Sequence, residues 1–237
     1  MNNNLRPNAI KRIKVECQDI DAHPEHMLFV SYDLDDLSSV KIMFIGPSDS
    51  PYSGGFFYFD VKFPKGYYFE PPNLTFLTAE FKEKCRLHPN LYQNGKVCLS
   101  TLNTWGANEW SPALTVEKIF LTIQMLLDNN PIAHEPGHEH CKSDSTESTN
   151  YRTVALYRTL ETAVIGMLRR SDVPEKFRAV MKSYFVEHYD DFLKQIDKLS
   201  PYNNTIVTCF HDSETIDCKH LLTTFKSLYD ELNSERA

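Results

Sequence analysis

The chain has 237 residues, of which 41% are hydrophobic and 12% aromatic, enough for a substantial core and too many for a disordered chain. Its net charge of -7 argues against nucleic acid as the main partner, because a phosphate binder presents a basic stripe. No apolar run approaches membrane-spanning length and the start, Met1 to Asn4, is polar, so the expected protein is soluble and cytoplasmic, with nuclear residence left open.

Residues 7–20 read as a first helix: Pro7 suits its first turn, and Ile10, Ile13, Cys17 and Ile20 keep one apolar stripe. Lys11, Arg12 and Lys14 lie off that stripe. The runs 27–33, 40–45, 56–63 and 74–77 are rich in aromatic and branched side chains and are bounded by Pro, Gly or Asp. They read as four strands of an antiparallel meander. Seven of the eight glycines fall between Gly46 and Gly137, so turns concentrate there.

Beyond Ser111-Pro112, a natural helix start, Leu114, Ile119, Phe120, Ile123, Leu126 and Leu127 have helical spacing, and Asn129-Asn130-Pro131 ends it. The polar stretch 142–150 reads as a loop or linker. Two long amphipathic helices are expected at 152–170 and 175–199, the second opened by Pro174. After Ser200-Pro201 comes an ambiguous apolar piece, 206–210, and then a last helix near 218–232. This order is α+β, with helices flanking one antiparallel sheet. It suggests a core over 1–199 that includes two C-terminal helices, and an extension over 200–237 with a terminal helix.

Six cysteines, Cys17, Cys85, Cys98, Cys141, Cys209 and Cys218, are spread widely with no CxxC pair, which favours reduced thiols over a disulfide framework. One has chemical company. His88-Pro89-Asn90 precedes Cys98, which lies inside Asn94-Gly95-Lys96-Val97-Cys98-Leu99, and Trp110-Ser111-Pro112-Ala113 follows. A thiol beside an amide, with no obvious histidine-carboxylate pair, suits exchange of an already activated acyl group. It suits peptide hydrolysis poorly, since that nucleophile needs a base. A free cysteine titrates near ~8.5, and its small thiolate fraction suffices when the acyl group arrives as a thioester. The plainer alternative is an ordinary half-buried thiol.

His134-Glu135-Pro136-Gly137-His138 formally matches the zinc-protease pattern HExxH. That site needs both histidines on one helical face, and Pro136-Gly137 breaks the helix in its middle. Neither a catalytic metal nor a cofactor is therefore expected, although His140 and Cys141 leave adventitious metal binding open.

The motifs around Cys98 join Ala9-Ile10-Lys11-Arg12, Gly46-Pro47, Ser50-Pro51-Tyr52, Gly54-Gly55, Phe63-Pro64 and Pro71-Pro72 in one ordered set. Over residues 5 to about 199 this set resembles the ubiquitin-conjugating enzymes, the E2 class. The resemblance implies a UBC fold: an N-terminal helix, a four-stranded antiparallel meander, a central helix and C-terminal helices. It implies that Cys98 accepts the C-terminus of ubiquitin, or of a ubiquitin-like modifier, from an activating enzyme and presents it to a lysine or a ligase. Asn90 would donate to the developing oxyanion or brace the loop beside the cysteine. In the loop after the central helix, Glu135 is the candidate for orienting the attacking lysine, with His134 as runner-up. His88 and Pro89 would shape the backbone. Phe69, Ser111, Pro112 and Ala113 should face ubiquitin ligases, and Lys11, Arg12 and Lys14 should meet the activating enzyme. No nucleic acid and no membrane enters this scheme. Extra residues between Thr78 and His88, and between Cys98 and Trp110 (Thr104-Trp105-Gly106 among them), resemble the larger family members. A non-catalytic ubiquitin-binding module on the same fold is the alternative, and the joint presence of Cys98 and Asn90 argues against it.

Overall fold

The first apolar stripe forms helix α1 (Pro7–Ala22), with Pro7 in its first turn and Ile13, Cys17 and Ile20 buried. In this computed structural model, which describes residues 5–79, 86–106, 109–210 and 212–234, four strands follow, and Cys85 lies outside the described residues. They are β1 (Leu28–Asp33), β2 (Asp36–Ile45), β3 (Phe56–Lys62) and β4 (Asn73–Phe76), arranged in sequence order as a meander. Leu28 pairs with Phe44 and Val30 with Ile42, while Phe59 pairs with Phe76.

Strand β2 begins at Asp36, ahead of the expected 40–45, because a tight turn carries the ladder on to an Asp33–Asp36 pair. The Asp35 N–H donates to the Asp33 carboxylate across that turn (2.8 Å). Polar side chains at Asp36, Ser38 and Ser39 hide such an extension from a reading of hydrophobic runs. Strand β3 is buried at every position from Phe56 to Val61, as a central strand should be. Helix α2 (Val116–Leu126) sets Phe120 edge-on to Phe59, with 5.1 Å between ring centroids, and Phe59 lies 5.1 Å from Phe76. Aromatic pairs of this geometry add about 0.5–1.5 kcal/mol beyond area burial.

The chain divides into two compact units. The first joins Met1–Ile45, Phe57–Arg86 and Asn90–Leu126; the second joins Gly46–Phe56, Leu87–Pro89 and Leu127–Ala237.

In the second unit, helix α3 (Thr146–Arg158) starts inside the stretch read as a loop. Ser145 is its N-cap, accepting the Ser148 N–H at 3.1 Å, so the polar residues there are a helix start. The expected 152–170 helix is α-helical only to Arg158 and widens into a π-helix over Thr159–Gly166. Side chains there are buried almost all round, so an amphipathic stripe cannot reveal the change. The expected 175–199 helix breaks at His188 into α4 (Glu175–Glu187) and α5 (Tyr189–Lys198). His188 leaves helical geometry (φ -109°, ψ 19°) and its Nδ1 sits 3.4 Å from the Asp191 carboxylate in the first turn of α5.

The ambiguous piece is a strand. β5 (Ile206–Cys209) pairs with β6 (Asp212–Thr215), and the nearly buried Arg158 ties this hairpin to α3 through Asp212 (2.6 Å) and Glu214 (2.9 Å). Helix α6 (Cys218–Ser234) brings Phe225 within 5.4 Å of Phe185 and 5.5 Å of Phe192, and stacks Tyr229 on Tyr189 at 4.1 Å. Gly54 (φ 72°) lets the segment Gly46–Phe56 approach α5, since a Cβ there would lie 2.7 Å from the Phe192 ring. Among the described residues, no helix is long and apolar enough to cross a membrane.

Candidate active site

The Cys98 loop is built from a turn. The Gly95 N–H donates to the Tyr92 carbonyl (3.0 Å), and Gly95 takes φ 85° with its carbonyl accepting from the Phe76 N–H at 2.8 Å. A Cβ on Gly95 would lie 2.8 Å from the Thr75 side chain, so only glycine lets this turn lie against β4. Bridges Thr75–Lys96 and Leu91–Val97 then fix the approach to the cysteine.

Cys98 itself is 2% exposed. Its N–H donates to the Asn90 carbonyl (2.9 Å), and Asn90 Nδ2 donates to the Cys98 carbonyl (2.8 Å). Asn90 thus uses one amide N–H as a brace, the second of the two roles expected of it. Among the described residues no hydrogen bond or ion pair reaches the Cys98 sulfur, so the thiol has no histidine or carboxylate partner.

Two loops expected to face ligases meet where Trp110 Nε1 donates to the Tyr68 carbonyl at 3.2 Å. Phe69 beside it is 64% exposed, and Ser111, Pro112 and Ala113 are all exposed. Both loops are anchored from α1. Arg12 donates through Nη2 to the Leu114 carbonyl (3.0 Å), lies over the Tyr68 ring (5.6 Å) and pairs with Glu16. Buried Glu16 also accepts from the Tyr67 hydroxyl (2.8 Å) and from the Val116 N–H (3.0 Å), which caps α2 with a negative charge. Burial, then the neighbouring Glu16 carboxylate, push the Tyr67 hydroxyl pKa up, so it stays a donor. Of the three cations expected at a docking face, Lys11 and Lys14 are exposed, whereas Arg12 serves as an internal strut. The sequence reading missed Glu16. Its only early signal is a charged residue one position before Cys17 in the apolar stripe.

In the second unit, the loop after α2 holds the other two candidates. Glu135 is 3% exposed and accepts from the Tyr151 hydroxyl at 3.4 Å. His134 is partly exposed, with Nε2 3.0 Å from Asp128 Oδ2. Burial favours the neutral form of Asp128, but hydrogen bonds from His134 and the Asn130 N–H outweigh it and hold the carboxyl below its usual range. The His134 ring also sits 5.3 Å from that of buried His88, which is edge-on to Tyr52 (5.6 Å). The runner-up is therefore the residue with an accessible imidazole, and the first choice points inward.

His134 and His138 do not share a helical face. His134 ends a short 3₁₀ turn (Pro131–His134), Gly137 takes φ 86°, and His138 pairs with Glu147 at 3.3 Å. Among the described residues, His23, His26 and Glu117 bring three donor atoms close enough to hold an ion. His23 Nδ1, however, lies 2.9 Å from the Asp19 carbonyl, a contact that needs a proton where a metal needs a lone pair.

A family profile described as ubiquitin-conjugating enzyme matches residues 12–158. The ubiquitin-conjugating enzyme E2 Z of Homo sapiens is 37% identical over 185 residues, covering 78% of this chain and 52% of its own length. That of Xenopus tropicalis is 37% identical over 183 residues, 77% of this chain and 58% of its own. A probable ubiquitin-conjugating enzyme protein 17 of Caenorhabditis elegans is 33% identical over 175 residues, 71% of this chain and 24% of its own. The chain spans about half the length of the E2 Z relatives it matches. Helix, four-stranded meander, thiol loop and these similarities agree, and the chain belongs to the ubiquitin-conjugating enzyme family.

Proposed function

We propose that this protein accepts the C-terminal acyl group of ubiquitin, or of a ubiquitin-like modifier, as a thioester on Cys98 and passes it to a lysine or a ligase. The observation that carries this reading is a cysteine whose backbone is held by Asn90 while its sulfur has no base partner among the described residues. Such a thiol suits exchange between thioesters, where both partners are sulfur and the free-energy change is small. In loading, the Cys98 thiolate attacks the thioester carbonyl; a carbon–sulfur bond forms to Cys98 and the activating enzyme's cysteine leaves as thiolate. In discharge, a neutral lysine amine attacks the Cys98 thioester, an amide bond forms, the carbon–sulfur bond breaks, and Cys98 leaves as a thiolate that is neutralised by the proton the amine gives up. Phe69 with Ser111, Pro112 and Ala113 supplies an exposed apolar surface that suits a ligase, and Lys11 and Lys14 supply charge for the activating enzyme.

Incubation with ATP and a panel of activating enzymes and modifiers tests the reading. Wild type should form an adduct that reductant removes, Cys98→Ala none, and Cys98→Ser a reductant-resistant ester. Normal loading of Cys98→Ala would exclude Cys98 as the acceptor.

A further inference from the structure

Four backbone polar groups belong to the two peptide units that flank the Cys98 α-carbon. Asn90 holds two of them, the Cys98 N–H and the Cys98 carbonyl. The remaining two meet a single atom. Thr104 Oγ1 donates to the Val97 carbonyl at 2.8 Å and accepts from the Leu99 N–H at 2.8 Å. The Thr104 N–H adds a bond to the Leu99 carbonyl at 3.1 Å.

The chain returns to the cysteine by a local device. A short 3₁₀ turn (Ser100–Leu102) is ended by Asn103 in the left-handed region, φ 57°, which reverses the backbone and delivers Thr104 beside Val97 and Leu99. Asn103 Oδ1 also accepts from the Trp110 N–H (3.1 Å).

We propose that Thr104 is a positioning residue for acyl exchange: its hydroxyl locks both peptide planes beside Cys98 and so aims the sulfur. This rests on the reading of Cys98 as the acceptor thiol. Rotation about φ of Cys98 swings the Val97–Cys98 plane, and rotation about ψ swings the Cys98–Leu99 plane. Asn90 anchors one edge of each plane and Thr104 the opposite edge, so neither torsion can drift while both residues are in place. Removing the hydroxyl leaves one anchor per plane and breaks no packing, because Thr104 is exposed.

Two variants and two readouts test this on the full chain. Thr104→Val keeps the shape and removes the hydroxyl; Thr104→Ser keeps the hydroxyl. The first readout is thioester loading, separated into kcat and KM for the charged activating enzyme. The second is alkylation of Cys98 by iodoacetamide, followed peptide by peptide, with buried Cys17 as an internal reference. Thr104→Val should lower the loading kcat about tenfold, within what a misplaced reacting group costs, and leave KM unchanged. It should speed Cys98 alkylation several-fold, as a loosened loop exposes the thiol, and leave Cys17 unchanged. Thr104→Ser should behave as wild type in both. Equal Cys98 alkylation in Thr104→Val and wild type, the same defect in Thr104→Ser, or a parallel rise at Cys17 would each overturn the proposal. Failure of wild type to form any adduct would sink the reading of Cys98 as acceptor, while the alkylation rates still decide whether Thr104 holds the loop.

Discussion

The loop that carries Cys98 and the loop that carries His134 and Glu135 are stiffened by opposite means. Around Cys98 the backbone is tied, by Asn90 and Thr104, and the sulfur has no hydrogen-bond partner among the described residues. After α2 the side chains themselves are tied: His134 to Asp128, Glu135 to Tyr151, His138 to Glu147. The contrast has a chemical meaning. The thiol on the locked backbone has no hydrogen bond among the described residues to break before it attacks, only the burial of its loop to relieve. The Glu135 carboxyl is buried beside Tyr151 and must be uncovered before it can meet an amine.

Asn90 gives the sharpest test of the first half of the comparison. Asn90→Ala should slow discharge to free lysine about a hundredfold, the effect of losing one oxyanion donor. Loading should fall less. Single-turnover discharge of preloaded enzyme measures the first rate and adduct formation the second. Equal losses in both would leave Asn90 a backbone brace and nothing more.

The neighbours His134 and Glu135 should diverge. His134→Ala should slow discharge at neutral pH by up to about a hundredfold, the lower range for a positioned proton acceptor, with little change in stability. Glu135→Ala should do the reverse. It should lower the free energy of unfolding by about 1–3 kcal/mol, because it removes a buried acceptor of the Tyr151 hydroxyl, with discharge per folded molecule unchanged. Slow discharge by a fully stable Glu135→Ala would reverse the assignment.

The same distinction between tied and free side chains sorts the cations of α1 and gives the smallest effect. Lys11→Glu with Lys14→Glu should slow loading a few-fold and flatten its salt dependence, because screening acts over about 8–10 Å at physiological ionic strength. Discharge of a preloaded adduct should not change. Arg12→Glu should instead destabilise the fold by abutting Glu16 and releasing Leu114, which thermal unfolding would show. An Arg12→Glu protein as stable as wild type would show that the strut carries no weight.

Much of the first unit was legible from residue patterns. The stripe Ile13, Cys17, Ile20 gave α1 its buried face, and the aromatic runs gave the sheet, since both periods are properties of single elements. The second unit was legible only in outline. A continuous amphipathic pattern ran through His188 and hid the break between α4 and α5, and a polar run masked the Ser145 cap of α3. The short strands β5 and β6 support each other by pairing, so neither carries a full strand signature alone.

Sequence by itself determined which thiol keeps motif company, which elements are amphipathic, and that Pro136-Gly137 interrupts the HExxH spacing, because each depends on residue type at a fixed interval. Only the tertiary structure decided that Arg12 is a strut, that Glu135 is buried and that Glu16 caps α2. Those assignments depend on partners far away along the chain, as between Arg12 and Leu114, 102 residues apart, and no periodicity reports them. Thr104 stands between the two cases. It is only seven residues from Val97, yet its hydroxyl reaches both sides of Cys98 because Asn103 takes a left-handed turn, a backbone choice that the residue type permits but does not impose.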